Sequence, residues 1–257
     1  MTNERFSLRG RVALVTGASS GLGRHFAAVL AEAGARVVVA ARRLERLESL
    51  VSELEQAGGQ ALAVAMDVTD SDSVLTALTT VENQFGPVEI LINNAGIGDP
   101  RPFLETTEAD WDRMMDTNLK SAWFLAREVS RRLVEKGQPG SIINIASILG
   151  LRVGRDLSHY AVAKAGVVQL TKALAVELSR HRIRVNALAP GYFRTEMNDE
   201  LFATEQGQRY IQRQVPMARL GQLEDLSGPL LLLASEAGGF MTGTVIPVDG
   251  GHVTNPL

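Results

Sequence analysis

Val12-Ala13-Leu14-Val15-Thr16-Gly17-Ala18-Ser19-Ser20-Gly21-Leu22-Gly23 is the stretch on which the fold turns. Four apolar residues of strand character run into a loop with three glycines. A helical pattern from Phe26 to Ala33 follows, and Gly34 stops it. Glycines let a backbone turn tightly and come close to a pyrophosphate, and the helix behind them offers unpaired N–H groups and the positive end of its dipole. The spacing is G-x-x-x-G-x-G rather than the commoner G-x-G-x-x-G. Such a loop also fits a plain strand–helix turn; its place at the first β–α junction is what gives it weight.

Outward from this stretch the alternation continues. Val37–Val39 reads as a strand, and Leu44–Leu54 repeats leucine at helical spacing before Gly58-Gly59. Further strands are predicted at Ala61–Met66, Val88–Ile92, Ser141–Ile145, Ile183–Leu188 and Thr244–Val248. The helices between them are predicted at Val74–Phe85, Glu108–Glu135, His159–Ser179 and Leu223–Ala234. Apolar strands alternating with helices predict one α/β domain over residues 1–257. The architecture is a Rossmann-like, doubly wound parallel sheet of about seven strands with helices on both faces. Tyr192–Met217 fits neither pattern, and both a substrate lid and a surface helical pair suit it.

Composition removes several function classes. The net charge is −3, so there is no electrostatic footprint for nucleic acid. No cysteine is present, which excludes disulfides, thiolate metal sites and a cysteine nucleophile. No apolar run approaches the roughly 18 residues of a membrane span, and Met1–Gly10 lacks the apolar core of a signal peptide. The expectation is a cytoplasmic protein without metal or membrane, acting on a small molecule.

After the second strand the chain reads Ala41-Arg42-Arg43. A site for NAD(H) places an acid near here for the ribose hydroxyls; an arginine instead offers a planar fork to a 2′-phosphate. NADP(H) is therefore favoured and NAD(H) stays possible, with Arg42 the stronger candidate and Arg43 the weaker. Both also fit as solvated residues at a helix start. Asp67, followed by Val68, could bond the adenine edge, or Asp67 or Thr69 could cap the next helix.

Tyr160 and Lys164 stand four apart, on one face of a predicted helix. An ammonium beside a phenol favours the phenolate and lowers its pKa from about 10, which suits a tyrosine to acid–base work. Ser147 follows the fifth strand at the carboxyl edge of the sheet, where open α/β folds bind ligands. Asn118 falls inside a predicted long helix, either exposed or buried as a kink that holds a water. His159 is expected at the surface of a helix start. Arg152, Arg155 and Arg194 flank the predicted pocket; they could meet a carboxylate or phosphate, and fit surface charges better. Asp249-Gly250-Gly251 reads as a turn.

Together these residues resemble the short-chain dehydrogenase/reductase family, in its single-domain form of about this length. The resemblance rests on Thr16–Gly23, Asn93-Asn94-Ala95-Gly96, Asn118, Ser147, Tyr160-Ala161-Val162-Ala163-Lys164, and Pro190-Gly191 with Thr195. It implies a catalytic tetrad of Asn118, Ser147, Tyr160 and Lys164. The tyrosine exchanges the proton of the substrate oxygen and the serine steadies that oxygen. The lysine lowers the tyrosine pKa and bonds the nicotinamide ribose, while the asparagine keeps a water. The resemblance also implies that Gly17, Ser19, Ser20, Gly21, Leu22 and Gly23 cradle the cofactor. Asn94, Ala95 and Gly96 then lie beside the adenosine half, and Pro190, Gly191 and Thr195 against the carboxamide. A homotetramer is implied as well.

The reading is an NADP(H)-dependent oxidoreductase for a ketone/secondary alcohol pair. A 3-oxoacyl thioester is the first candidate substrate, with sugar or general alcohol dehydrogenation using NAD(H) as the alternative. A non-catalytic NADPH-binding protein has no need of a general acid. Sugar-nucleotide epimerases share Tyr-x-x-x-Lys but carry more chain after it.

Overall fold

The computed structural model describes residues 4–194, 202 and 204–255. Seven parallel strands form one sheet: β1 (Val12–Thr16), β2 (Arg36–Ala41), β3 (Gln60–Ala65), β4 (Ile90–Asn93), β5 (Gly140–Ile145), β6 (Ile183–Pro190) and β7 (Val245–Val248). Their spatial order is β3-β2-β1-β4-β5-β6-β7. The order reverses direction between β1 and β4, which pair in register through Ala13–Ile90, Leu14–Leu91 and Val15–Ile92. A crevice opens at the carboxyl ends of strands where the order reverses, and ligands bind there.

The strands are apolar on both faces because helices cover both. Successive side chains of a strand point to opposite faces, and the core divides accordingly. Ala13, Val15, Val37, Val39, Ile143 and Ile145 pack with Phe26 and Leu30 of α1 (Gly21–Glu32), Leu47 and Leu50 of α2 (Leu44–Gln56), and Leu230 and Leu233 from near the C-terminus. Val12, Leu14, Val38, Leu91, Ile142 and Val185 face the other way. They pack against α3 (Ser71–Gln84), α5 (Ser121–Glu135) and α6 (Ser158–Leu178).

The predicted helix over Glu108–Glu135 is continuous but not uniform. α4 (Glu108–Met115) runs into a π turn at Asp116–Lys120 and then into α5. Single π turns inside α-helices are rare and gather at functional sites. Asn118 sits in this one, 2 % exposed, so it belongs to the interior. α4 opens on a capping box between Thr107 and Asp110, and α3 on the carboxylate of Asp70. Asp70, rather than Asp67 or Thr69, is therefore the cap after β3.

In the stretch over Tyr192–Met217 the structure describes one α-helix, α7 (Glu205–Gln214), begun by the Thr204 side chain on Gly207 N–H. Phe202, Ile211 and Val215 pack with Tyr192 and Leu220 into a small cluster of their own. Thr195 and Met197 lie outside the described residues. The last helix, α8 (Ser227–Ala234), follows a 3-10 turn at Leu223–Leu226. Among the described residues no helix is long and apolar enough to cross a membrane.

Candidate active site

β1 delivers Thr16 to the floor of the crevice, and its hydroxyl ties two strand ends together. Thr16 Oγ1 donates to Ile92 O and accepts from the N–H groups of Asn94 (3.1 Å) and Ala95 (3.0 Å). Asn94 Nδ2 returns the tie, donating to Thr16 O at 2.9 Å and Gly17 O at 3.3 Å. The glycine loop closes on this latch. A Cβ at Gly23 would stand 2.4 Å from Gly17 O and 2.5 Å from Asn94 Nδ2, so no side chain fits there. In the sequence Thr16 reads as the first residue of the glycine loop, with nothing to give its hydroxyl a role. Its sequence signal is a hydroxyl residue at the head of that loop, and its partner Asn94 is 78 residues away.

A cleft of about 1030 Å³ runs along the carboxyl edge of the sheet. Gly17, Ser19, Ser20, Gly21 and Leu22 line one end with Arg42, Arg43, Asp67 and Val68. Asn94, Ala95 and Gly96 line the middle. Ser147, Tyr160, Lys164, Pro190 and Gly191 line the far end with Tyr192 and Phe202. At the first end Arg43 Nη2 donates to Ser19 Oγ at 3.1 Å. Hydrogen bonds from Thr69 hold the Asp67 carboxyl below the usual carboxylate range, and the exposed Arg42 guanidinium adds to this. Glycine loop, helix N-terminus, two arginines and a cleft of this length together fit an elongated anionic dinucleotide.

At the far end three side chains converge from two elements, the turn after β5 and the helix α6. Ser147 follows β5 and is 9 % exposed. Its Oγ accepts from Leu149 N–H at 3.1 Å and stands near enough to the Tyr160 phenol to lower its pKa. Lys164, one turn along α6, is 5 % exposed. Its Nζ lies 5.7 Å from the Tyr160 ring centre and donates to Ile145 O at 2.8 Å. Burial alone lowers the Lys164 pKa to about 8. Burial pushes the Tyr160 phenol upward, and the Ser147 hydroxyl recovers part of that. The expected lowering of the Tyr160 pKa by Lys164 is thus not the net result here. The ammonium lies over the ring face and donates to a backbone carbonyl.

Asn118 spends its amide on the backbone of Ile97, accepting from its N–H at 2.8 Å and donating to its O at 2.9 Å. This pins the segment after β4 over the π turn. A Cβ at Gly96 would stand 3.1 Å from Asn118 Oδ1, a tight approach to which the asparagine side chain would have to yield. Two expectations are corrected. His159, expected at the surface, is fully buried because α6 enters the core from its first turn. Arg152 is neither a pocket residue nor a free surface charge. Its Nη1 donates to the carbonyls of His252 (2.9 Å), Val253 (3.4 Å) and Asn255 (3.2 Å). Arg155 and Arg194 are exposed. Asp249 does make a turn, its carboxylate accepting from Gly251 and Val253 N–H. A feature that spacing did not reveal is the Tyr192–Tyr210 hydroxyl pair at 3.2 Å. Burial and that bond push the Tyr192 pKa up. Among the described residues no cluster of His, Asp or Glu could hold a metal.

Known proteins agree with this geometry over almost the whole chain. A family model described as enoyl-(acyl carrier protein) reductase matches residues 17–253. Gluconate 5-dehydrogenase of Gluconobacter oxydans is 41% identical over 246 residues, covering 96% of each chain. A 3-oxoacyl-(acyl-carrier-protein) reductase of Thermotoga maritima is 36% identical over 246 residues, 96% of this chain and 99% of that one. A crystal structure of a gluconate 5-dehydrogenase from Burkholderia cenocepacia, in complex with NADP and tartrate, superposes with a TM-score of 0.95 at 35% identity. It covers 100% of both chains. By these matches and by the cluster at the crevice, the chain belongs to the short-chain dehydrogenase/reductase family and is an oxidoreductase acting on a carbonyl/alcohol pair.

Proposed function

We propose that the chain is an NADP(H)-dependent ketone reductase and secondary-alcohol dehydrogenase whose substrate is a small keto polyol acid. The observation that carries this reading is the Ser147–Tyr160–Lys164 cluster, set at the carboxyl edge of the sheet in the same cleft as a glycine loop with Arg42 and Arg43. The polyol acid is supported by the named activity of the relatives that are gluconate 5-dehydrogenases. A 3-oxoacyl thioester is the second reading. It is supported by the Thermotoga relative and by the apolar Leu149, Leu157 and Phe202 on the cleft wall.

A bound nicotinamide supplies or accepts the hydride. Ser147 Oγ then holds the substrate oxygen, and Tyr160 gives that oxygen its proton in reduction or takes it in oxidation. Lys164 keeps a positive charge beside the phenol as it ionises. Asn118 fixes Ile97 and so the floor beneath Lys164. Arg42 and Arg43 receive the 2′-phosphate, with Asp67 and Val68 beside the adenine. Pro190, Gly191 and Thr195 take the carboxamide side. Phe202 and α7 form the substrate-side cover of a single catalytic domain. The same reading carries a homotetramer in the cytoplasm, supported by the family resemblance.

The test is a panel containing 5-keto-D-gluconate, a 3-oxoacyl thioester and a simple cyclic ketone. Each is assayed with NADPH and NADH by nicotinamide absorbance. The keto acid with NADPH is expected to give the highest kcat/KM. A thioester faster by more than about tenfold, roughly 1.4 kcal/mol of transition-state preference, would select the second reading. No turnover of any ketone would reject both.

The pH dependence has a definite sign. Below about pH 8 Lys164 carries its charge and Tyr160, with its raised pKa, its proton. Both are lost as pH rises. Reductive kcat/KM is expected to be flat near neutrality and to fall above about pH 8. Oxidation needs the phenolate, so it should gain on reduction as the medium becomes alkaline. A reductive rate that climbs steadily from neutral to alkaline pH would contradict this assignment.

A further inference from the structure

We propose that the turn over residues 249–255 is a bracket that locks the aromatic wall of the cleft to the loop carrying Ser147, and that Arg152 is the positioning residue that closes it. Three attachments meet in this short segment. Arg152, whose N–H is bonded back to Ile148 O at 2.8 Å, belongs to the loop that follows Ser147. Its guanidinium collects the carbonyls of His252, Val253 and Asn255. These lie in and just after the 3-10 turn His252–Thr254, in which His252 O also accepts from Asn255 N–H at 3.2 Å. A planar cation suits such a cluster of acceptors.

The second attachment is to α7. Asn255 Nδ2 donates to Gln214 O at 3.1 Å and Arg213 O at 3.5 Å, the open carbonyl end of that helix. Met217 N–H donates to Gly250 O at 3.1 Å. Gly250 (φ +63°) packs so closely on the Val215 side chain that a Cβ there would stand 2.8 Å from Val215 Cγ1. The third attachment is aromatic. The His252 ring lies 5.4 Å from Tyr192, and Tyr192 meets Phe202 at 5.4 Å and Tyr210 at 5.7 Å, both nearly edge-on. Tyr192 and Phe202 line the cleft. A displacement of α7 therefore reaches the cleft wall through Tyr192, and Arg152 ties that movement to the Ser147 loop. Arg152 touches no cleft space itself.

The consequence is a specific pair of equivalences. Arg152→Met and Asn255→Ala open the bracket at opposite ends, so each should loosen the same unit. In hydrogen exchange of the full chain with NADPH bound, amides of Glu205–Gln214 should exchange at least about tenfold faster in either variant. The double variant should be no faster than the faster single one, because residues acting through one unit are not additive. For the best ketone of the panel above, which rests on the proposed function, KM should rise about tenfold with kcat within about threefold. The Kd for NADPH should stay within about twofold of the parent value. Unchanged exchange over Glu205–Gln214 in Asn255→Ala, or rate increases that multiply in the double variant, would overturn the bracket, and so would faster exchange with an unaltered KM. If no ketone is turned over, the functional reading fails and the exchange arm alone decides the bracket. Should Arg152→Met not fold, the Asn255→Ala exchange and KM decide it.

Discussion

Tyr160→Phe is expected to bind NADPH with its parent affinity and to lose turnover by about a hundred- to ten-thousandfold, the range of general acid–base catalysis. The ring is retained, so the Lys164 ammonium keeps its aromatic neighbour and α6 keeps its packing. The group removed is the hydroxyl whose pKa Ser147 lowers. Because burial holds the phenol protonated, the proton is in place for reduction near neutral pH, and without it the substrate oxygen keeps only the Ser147 hydroxyl and loses its acid. Ser147→Ala should act in the same direction, since it removes both the oxygen's second partner and the group that moderates the Tyr160 pKa. Measured together, kcat and the NADPH Kd check the claim. A loss of less than about tenfold with intact cofactor binding would assign the proton to another group.

The second large effect is on cofactor choice. Arg42→Ala is expected to cut kcat/KM for NADPH by about ten- to a hundredfold and to leave NADH nearly unchanged. The physical basis is a charge-assisted hydrogen bond to phosphate, worth roughly 1.5–3 kcal/mol. Arg42 is exposed at the cleft end beside Asp67, whose carboxyl it helps keep ionised. Arg43 is held by Ser19, so it is preset toward the glycine loop, and Arg43→Ala should add to the loss. Steady-state kinetics with both cofactors reads the outcome; equal kcat/KM for NADPH and NADH in the parent protein would contradict the assignment.

Much of this was legible from the residues because the decisive signals are local. A strand buried on both faces is apolar throughout, so Val12–Val15 and Val37–Val39 stand out whatever surrounds them. The Tyr160–Lys164 spacing becomes a shared face as soon as α6 forms. What escaped is non-local. A π turn changes one residue in the helical count and leaves no mark on a periodicity spread over Glu108–Glu135, so Asn118 could be placed inside the helix but not given Ile97 as its partner. Arg152 has the composition of a surface charge, and only the return of the chain's last turn, 100 residues on, makes it a cap for carbonyls. His159 is polar by type, yet the first turn of α6 is already interior. In Tyr192–Met217 the apolar residues are too sparse for a core helix, because they serve a small cluster of their own.

Hydride transfer between a nicotinamide and a ketone carbon in the cleft beside Tyr160 can be followed by incubating the protein with NADPH deuterated at the transferring C4 position and the best ketone of the panel, and locating the label by mass spectrometry and NMR. One deuterium per turnover on the carbinol carbon of a secondary alcohol, with one equivalent of NADP⁺ formed, is the predicted result. NADPH bound but not consumed, or label delivered to a carbon–carbon double bond of an enoyl thioester while ketones remain untouched, would contradict it.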